Sequence, residues 1–357
     1  MLKDINYICL SDLHLGRENN NVDSMFSTLV TYFTKNRKVM KNLDYMFING
    51  DVYDRLLING SYEANRVTEV LLFILTYCVD NHIGLRILKG TPGHDWDQLD
   101  SIELLINTHP LYSQMNFKYV KVLEIERLET HDVTVLYVPD EWRTNPLDTY
   151  LEVLDLLNKH NLKKVDFCMM HGFFKYQLPA FIGVGHDETK YLEICNYYIH
   201  IGHVHTFSTF MRIIANGSFD RLAHNEEEDK GAVICKVTTE GDMRSNFIVN
   251  TKALLFKKIP VSTIGSINEL RVLIRKTFGN KNGRLRLIFD NEVDIDVNTL
   301  REQFKNLFID TDIIKAKDDK VQTLETICVV DITKDNIASL LLTIDKDIDV
   351  QTLSNYL

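Results

Sequence analysis

The chain is short of the residues that brace small secreted folds: among its 357 residues only six are cysteine, and six are proline. The cysteines (Cys9, Cys78, Cys168, Cys195, Cys235 and Cys328) form no CxxC pair, and several sit in apolar runs. That excludes a disulfide scaffold and predicts buried free thiols. No apolar run approaches the roughly 20 residues needed to cross a bilayer; the longest spans Val70 to Val79. The start, MLKDINYICLSD, lacks the basic-then-apolar order of a secretory leader. An intracellular, cytoplasmic protein without membrane association is expected. Basic residues are not in excess either, at 40 against 50 acids for a net charge of −10. A general nucleic-acid coat protein is therefore disfavoured, whereas an enzyme with a locally basic or metal-neutralised site is not. What is present, 45% hydrophobic and 25% charged residues, is ordinary for a globular chain.

Strand-like runs fall at 5–10, 43–48, 84–89, 133–138, 165–170 and 197–201, and helical spacing falls at 23–40, 63–80 and 147–160. In the second helix Val67, Val70, Leu71, Ile74, Leu75 and Cys78 keep the 3, 4, 7, 8 rhythm of one buried face. Such alternation predicts a layered α/β domain over residues 1–252. Residues 253–334 read as a small second α/β domain. It starts with a strand at 256–262 and a helix capped by Ser266-Ile-Asn-Glu269 that stops at Gly279. Strands at 284–289 and 326–332 then flank a helix near 297–308, and 335–357 is left as a short tail.

Five of the strand-like runs end in clusters of His, Asp and Gly. These are Ser11-Asp12-Leu13-His14, Asn49-Gly50-Asp51-Val52-Tyr53-Asp54, Gly90-Thr91-Pro92-Gly93-His94-Asp95, His171-Gly172 and Gly202-His203-Val204-His205. Ligand sites of layered α/β folds lie beyond the carboxyl ends of their strands, so the five loops can converge. Asp12 and His14, two apart, face one way in an extended chain. Mixed carboxylate and imidazole donors without cysteine suit Mn²⁺, Fe²⁺ or Zn²⁺ and not a structural zinc knuckle. There are enough such donors for two cations, which at about 3.5–4 Å separation activate water and stabilise phosphoryl oxygens in an in-line attack. His171 alone or HxH alone says little; the order of all five carries the reading.

That ordered set resembles the calcineurin-like metallophosphoesterase superfamily, whose pattern is DxH–GDxxD–GNH(D/E)–H–GHxH. The resemblance covers about residues 5–237 and implies a layered β-sandwich flanked by helices. It implies two divalent cations, Mn²⁺ being the expected ion: Asp12, His14 and His205 on one, His171 and His203 on the other, and Asp51 bridging. It further implies that His94, oriented by Asp54, acts as acid or electrostatic stabiliser beside the leaving group. One position departs. Gly93 stands where the family has asparagine, so Thr91, Asp95, a backbone carbonyl or a water would have to replace that oxygen.

Downstream, Gly217-Ser218, Arg221, Glu226 and Lys230-Gly231 resemble the corresponding segment of SbcD-type exonucleases, nuclease subunits of double-strand-break repair complexes. The GTPGHD variant is similar to bacteriophage members. This resemblance implies a DNA exo/endonuclease with a C-terminal DNA-capping domain, an SbcC-type coiled-coil ATPase as partner, and a homodimer through the 23–40 and 63–79 segments. Residues 257–286 carry eight basic side chains against one acid, which suits phosphate contact. Arg271, Arg275, Lys276, Lys281, Arg284 and Arg286 are the candidate DNA-binding residues, with Trp96 and Trp142 for base stacking. An apolar stretch near 337–344 is the candidate ATPase-binding element. Two rival readings are a metallophosphatase or phosphodiesterase on small molecules or phosphoproteins, and a degenerate binding module on the same fold.

Overall fold

The computed structural model describes residues 3–17, 22–178, 185–289 and 296–313. The first half of the chain supplies β1 (Ile5–Leu10), α1 (Val22–Lys35), α2 (Arg37–Met40), β2 (Tyr45–Asn49), α3 (Tyr62–Asp80), β3 (Gly84–Leu88), α4 (Pro92–Asp95), α5 (Asp100–Thr108) and β4 (Phe117–Val120). Next come β5 (Glu124–Leu128), β6 (Val133–Val138), α6 (Pro146–Lys159), β7 (Phe167–His171), α7 (Glu188–Ile194), β8 (Ile199–Gly202), β9 (Ser208–Phe210) and β10 (Ile213–Ala215). Two strands, β11 (Gly231–Val237) and β12 (Met243–Val249), return to the first sheet. The C-terminal unit holds β13 (Leu255–Pro260), α8 (Ile267–Phe278), β14 (Gly283–Phe289), α9 (Val297–Gln303) and β15 (Leu307–Ile313).

Two six-stranded mixed sheets form the main body, in the orders β12-β11-β1-β2-β3-β4 and β5-β6-β7-β8-β10-β9. Along β1 the pleat alternates: Ile5, Tyr7 and Cys9 enter the core between the sheets, while Ile8 and Leu10 meet the helices outside. Both faces being buried explains why such strands read as unbroken apolar runs. Tyr7 anchors the inner core, edge-on to Phe47 at 5.5 Å and to Phe167 at 5.2 Å. On the outer face of the first sheet α3 buries the six residues its spacing predicts. At about 1.5–3 kcal/mol for each fully buried large side chain, that face contributes on the order of 10 kcal/mol. Ser61 caps the helix by accepting from the Ala64 amide. The other sheet is covered by α6 and α7.

The second unit is a parallel sheet, β13-β14-β15, with α8 and α9 as crossovers around a core of its own. Ser266 accepts from the Glu269 amide as expected, but Glu269 reaches back to the Gly265 amide, one residue before the cap. The helix expected over 297–308 is shorter. It ends at Gln303, and Leu307 and Ile309 alternate into the core as strand residues of β15. The expected 326–332 strand, the 335–357 tail and Cys328 lie outside the described residues. Cys9, Cys78, Cys168, Cys195 and Cys235 are free and buried. Among the described residues no helix is long and apolar enough to cross a membrane.

Candidate metal centre

β1, β2 and β3 run parallel in one sheet, and β6, β7 and β8 run parallel in the other. The loops leaving their carboxyl ends meet. Contact between the two edges is close enough that a Cβ on Gly50 would lie 2.2 Å from His171 Nδ1; that glycine also has φ +82°. An extended chain would align Asp12 with His14. Instead both turn through positive φ (51° and 44°), as do Asp51 (49°) and His203 (89°). Such backbone costs about 1–3 kcal/mol per residue and clusters at functional sites.

Three groupings bring donor atoms within 4.8 Å of one another: Asp12, His14 and His205; Asp51, His171 and His203; and His14, Asp51 and His94. The six expected ligands are therefore together, with Asp51 between His14 and His171. The ring nitrogens show what they are prepared for. His171 Nδ1 donates to the Asn49 carbonyl at 2.6 Å, since a carbonyl only accepts. Its Nε2 is buried without a hydrogen-bond partner, 3.2 Å from Asp51 Oδ1. His14 repeats the arrangement: Nδ1 donates to Asp54 Oδ1 at 3.0 Å, and Nε2, unpartnered and buried, lies 3.6 Å from Asp51 Oδ2. His205 donates Nδ1–H to Glu226 Oε1 at 2.9 Å and turns Nε2 toward Asp12, 4.0 Å away. Ligating histidines are oriented in this way, with the far nitrogen fixed by an acceptor. Bare nitrogens facing carboxylate oxygens fit divalent cations.

Burial opposes charge on Asp51 and His171, yet their attraction outweighs it: the Asp51 carboxyl lies far below its ordinary range and His171 well above its own, so a proton on His171 Nε2 and a cation compete for one place beside Asp51. Burial lowers His14, outweighing its bond to Asp54 and the charge of Asp51.

Asp54 has a different division of labour from the one expected. Its carboxylate holds His14 and lies 3.5 Å from Arg17, while its main-chain carbonyl accepts from His94 Nδ1 at 2.7 Å. Neither of the two replacement ligands behaves alike. Asp95, fully buried, takes the amides of Val52, Tyr53 and Gly90 at 2.7–3.0 Å, so both its oxygens are occupied in joining two loops. Thr91 does reach the ligands: its amide donates to Asp51 Oδ1 at 2.7 Å and its hydroxyl is 3.3 Å from Asp51 Oδ2. Gly93 itself is exposed, with open space where a Cβ would stand.

Two participants were missed. Glu226, singled out only as part of a motif, holds His205 and pairs through Oε2 with the buried Lys230 at 2.9 Å. Burial raises its carboxyl, but His205 and Lys230 bring it down to about 2. Asp140, two residues beyond β6, lies 3.4 Å from His203 Nδ1. Burial again opposes ionisation there, and the bond to His203 with the charges of His171 and His203 brings the carboxyl to about 2. Asp140 follows a strand as the other site residues do, but no histidine or glycine accompanies it.

The basic run does not form one patch. Leu270, Ile274 and Phe278 of α8 and Leu285 and Leu287 of β14 share one core, so Arg271, Arg275 and Lys276 lie on the helix side of the sheet. Arg284 and Arg286 alternate to the opposite face, where Arg284 lies over Phe308 and Arg286 is 4.0 Å from Asp310. That face looks toward the main body. Burial, then the charges of Arg286, Lys258 and Arg284, lower His224 to about 4, and Arg284 in turn feels Arg17 beside the metal ligands. Lys281 sits in the turn before β14, outside both groups. Trp96 is 54% exposed two residues past His94, whereas Trp142 is tied to Glu152 by its indole N–H at 2.8 Å.

No protein-family model matches the chain, and no curated protein matches it. Among solved structures, GAP50, the anchor in the inner membrane complex of Plasmodium, shares 14% identity at a TM-score of 0.42, over 76% of this chain and 94% of its own. Another crystal structure shares 9% identity at a TM-score of 0.41, over 68% of this chain and 99% of its own. Likenesses this distant say nothing of substrate or partner.

Proposed function

We propose that the chain is a metal-dependent DNA exo/endonuclease with the fold layering and chemistry of the calcineurin-like metallophosphoesterases, SbcD-type in organisation. The observation that carries this is the pair of buried, unpartnered imidazole nitrogens of His14 and His171 converging on Asp51. Asp12, His14 and His205 would hold one divalent cation and His171 and His203 a second, with Asp51 shared and Mn²⁺ the expected ion. Bound ions of this kind activate water and neutralise phosphoryl oxygens.

The chain's own residues supply the rest. Asp54 and Glu226 keep the histidine rings aimed, and Asp12 fixes the 202–205 turn by accepting from the His203 amide at 2.9 Å. His94 has its Nδ1–H committed to a carbonyl, which leaves Nε2 as the atom that exchanges a proton. Its ring is edge-on to His14 at 4.8 Å, placing that nitrogen beside the ligand cluster for protonation of the departing sugar oxygen. Preference for a polyanion over a small ester rests on Arg17, 3.5 Å from Asp54, and on Arg284, Arg286 and Lys258 sharing the sheet face turned toward the main body. An SbcC-type ATPase and a second copy of the chain, through the outer surfaces of α1 and α3, are the partners this reading carries.

The test is hydrolysis of linear duplex DNA beside p-nitrophenyl phosphate with Mn²⁺. DNA cleavage with little phosphomonoesterase activity is expected. The reverse preference makes the chain a small-molecule phosphatase, and no hydrolysis of either makes it a binding module.

A further inference from the structure

We propose that Asp140 is itself a ligand of the second cation, supplying an oxygen where Gly93 has no side chain to offer one. This rests on the two-cation reading above. Asp140 Oδ2 accepts from the Thr91 hydroxyl at 3.0 Å and lies 3.4 Å from His203 Nδ1, while the same hydroxyl reaches Asp51 Oδ2 at 3.3 Å. Asp51 and His203 share one donor grouping with buried His171, whose Nε2 has no hydrogen-bond partner, and Asp140 adjoins that grouping through His203 and Thr91. The carboxylate side chain is only 10% exposed. Its approach depends on Gly172, whose Cβ would come within 3.1 Å of Asp140 Oδ1 at a φ of +123°.

Donor counting agrees. With Asp140, each cation has four protein donors, Asp51 counted for both: Asp12, His14 and His205 on one side, His171, His203 and Asp140 on the other. Three carboxylates then face two divalent charges, and each ion keeps coordination positions for water and a phosphoryl oxygen. Pro92 and Gly93 separate Thr91, which touches Asp51 and Asp140, from His94, and Gly93 carries no side chain. The loop therefore brings only the Thr91 hydroxyl to this space, and the carboxylate comes from the other sheet.

Mn²⁺ stoichiometry per full-length chain, from elemental analysis after equilibrium dialysis and from titration followed by electron paramagnetic resonance, tests this without substrate. The wild-type chain is expected to hold two ions, spin-coupled. Asp140→Ala should hold one and lose more than about 100-fold in affinity for the second, beyond the 10–100-fold typical when a partner that merely orients a ligand is removed. Asp140→Asn keeps the shape and the Thr91 contact, so it guards against a folding defect; a loss of at least tenfold at the second ion alone is expected. Two ions bound with unchanged affinity in either variant overturn the assignment, as does a wild-type chain that never takes a second ion. A wild-type chain that binds both ions, loses one on Asp140→Ala and cuts no DNA would sink the nuclease reading and leave the ligand in place.

Discussion

Glu226→Ala tests whether the motif around Lys230 is there for the metal centre. The Glu226 side chain is 9% exposed and takes four donors: His205 Nδ1 at 2.9 Å, the Leu222 amide at 3.0 Å, Lys230 Nζ at 2.9 Å and Ser218 Oγ at 3.4 Å. Alanine leaves the Leu222 amide and the His205 N–H without that acceptor, at about 1–3 kcal/mol for each buried unsatisfied donor. Lys230 retains Glu228 at 2.7 Å and the His205 carbonyl at 2.8 Å, so its charge is not stranded. The sum is roughly 2–6 kcal/mol, or about 4–24 °C in melting temperature at about 2–4 °C per kcal/mol for a domain this large.

The pH dependence gives a second measure of the same contact. The folded carboxyl titrates near 2 against an ordinary value of 4.5, so its stabilisation is fully present above pH 4.5 and is lost as pH falls toward 2. Measured on metal-free protein by urea unfolding, the wild-type chain should lose on the order of 3 kcal/mol from this group across that window, and Glu226→Ala should lack that part of the acid limb. Mn²⁺ affinity at the His205 site should fall about 10–100-fold as the ring loses its anchor. A variant within 1 kcal/mol of wild type (~1 kcal/mol being the cost of a single lost hydrogen bond) with unchanged Mn²⁺ affinity would refute the reasoning.

Three further outcomes are expected. His94→Asn should keep the Mn²⁺ stoichiometry and lose DNA cleavage by about 10²–10⁴-fold, the range of general acid–base catalysis; unimpaired cleavage removes His94 from its role. Chelation should lower thermal stability, because Mn²⁺ at 100 times its dissociation constant adds about 2.7 kcal/mol; scanning calorimetry with and without chelator reads it, and identical traces count against a structural metal centre. Arg284→Glu with Arg286→Glu should weaken duplex binding and flatten its salt dependence more than Arg271→Glu with Arg275→Glu, because only the first pair lies on the sheet face turned toward the main body; equal effects in a filter-binding titration would contradict the division of the basic run.

How much could be read in advance follows from how far apart the interacting groups are in the chain. Asp12 with His14, Asp51 with Asp54 and His203 with His205 were legible because each pair sits in one loop behind an apolar strand. The buried face of α3 was legible for the same reason, since its rhythm is local. Asp140 gave no such signal. It becomes a site residue only because β6 and β7 are neighbours and Gly172 leaves room beside His171. Nor could spacing tell that the Asp54 carbonyl, rather than its carboxylate, would hold His94, or that Asp95 would be absorbed by three amides.

Sequence alone therefore determined the alternation of strands and helices, the strand-end position of every expected ligand and the donor chemistry suited to divalent cations. These depend on residue type and near-neighbour order. Tertiary structure alone decided which nitrogen of His14, His171 and His205 is held by an acceptor, which carboxylate approaches His203 from the second sheet and which half of the basic run turns toward the main body. Those are set by pairs of groups 21 to 191 residues apart: His14 meets Asp54 when β1 and β2 pair in one sheet, and His203 meets Asp12 only when the two sheets stack.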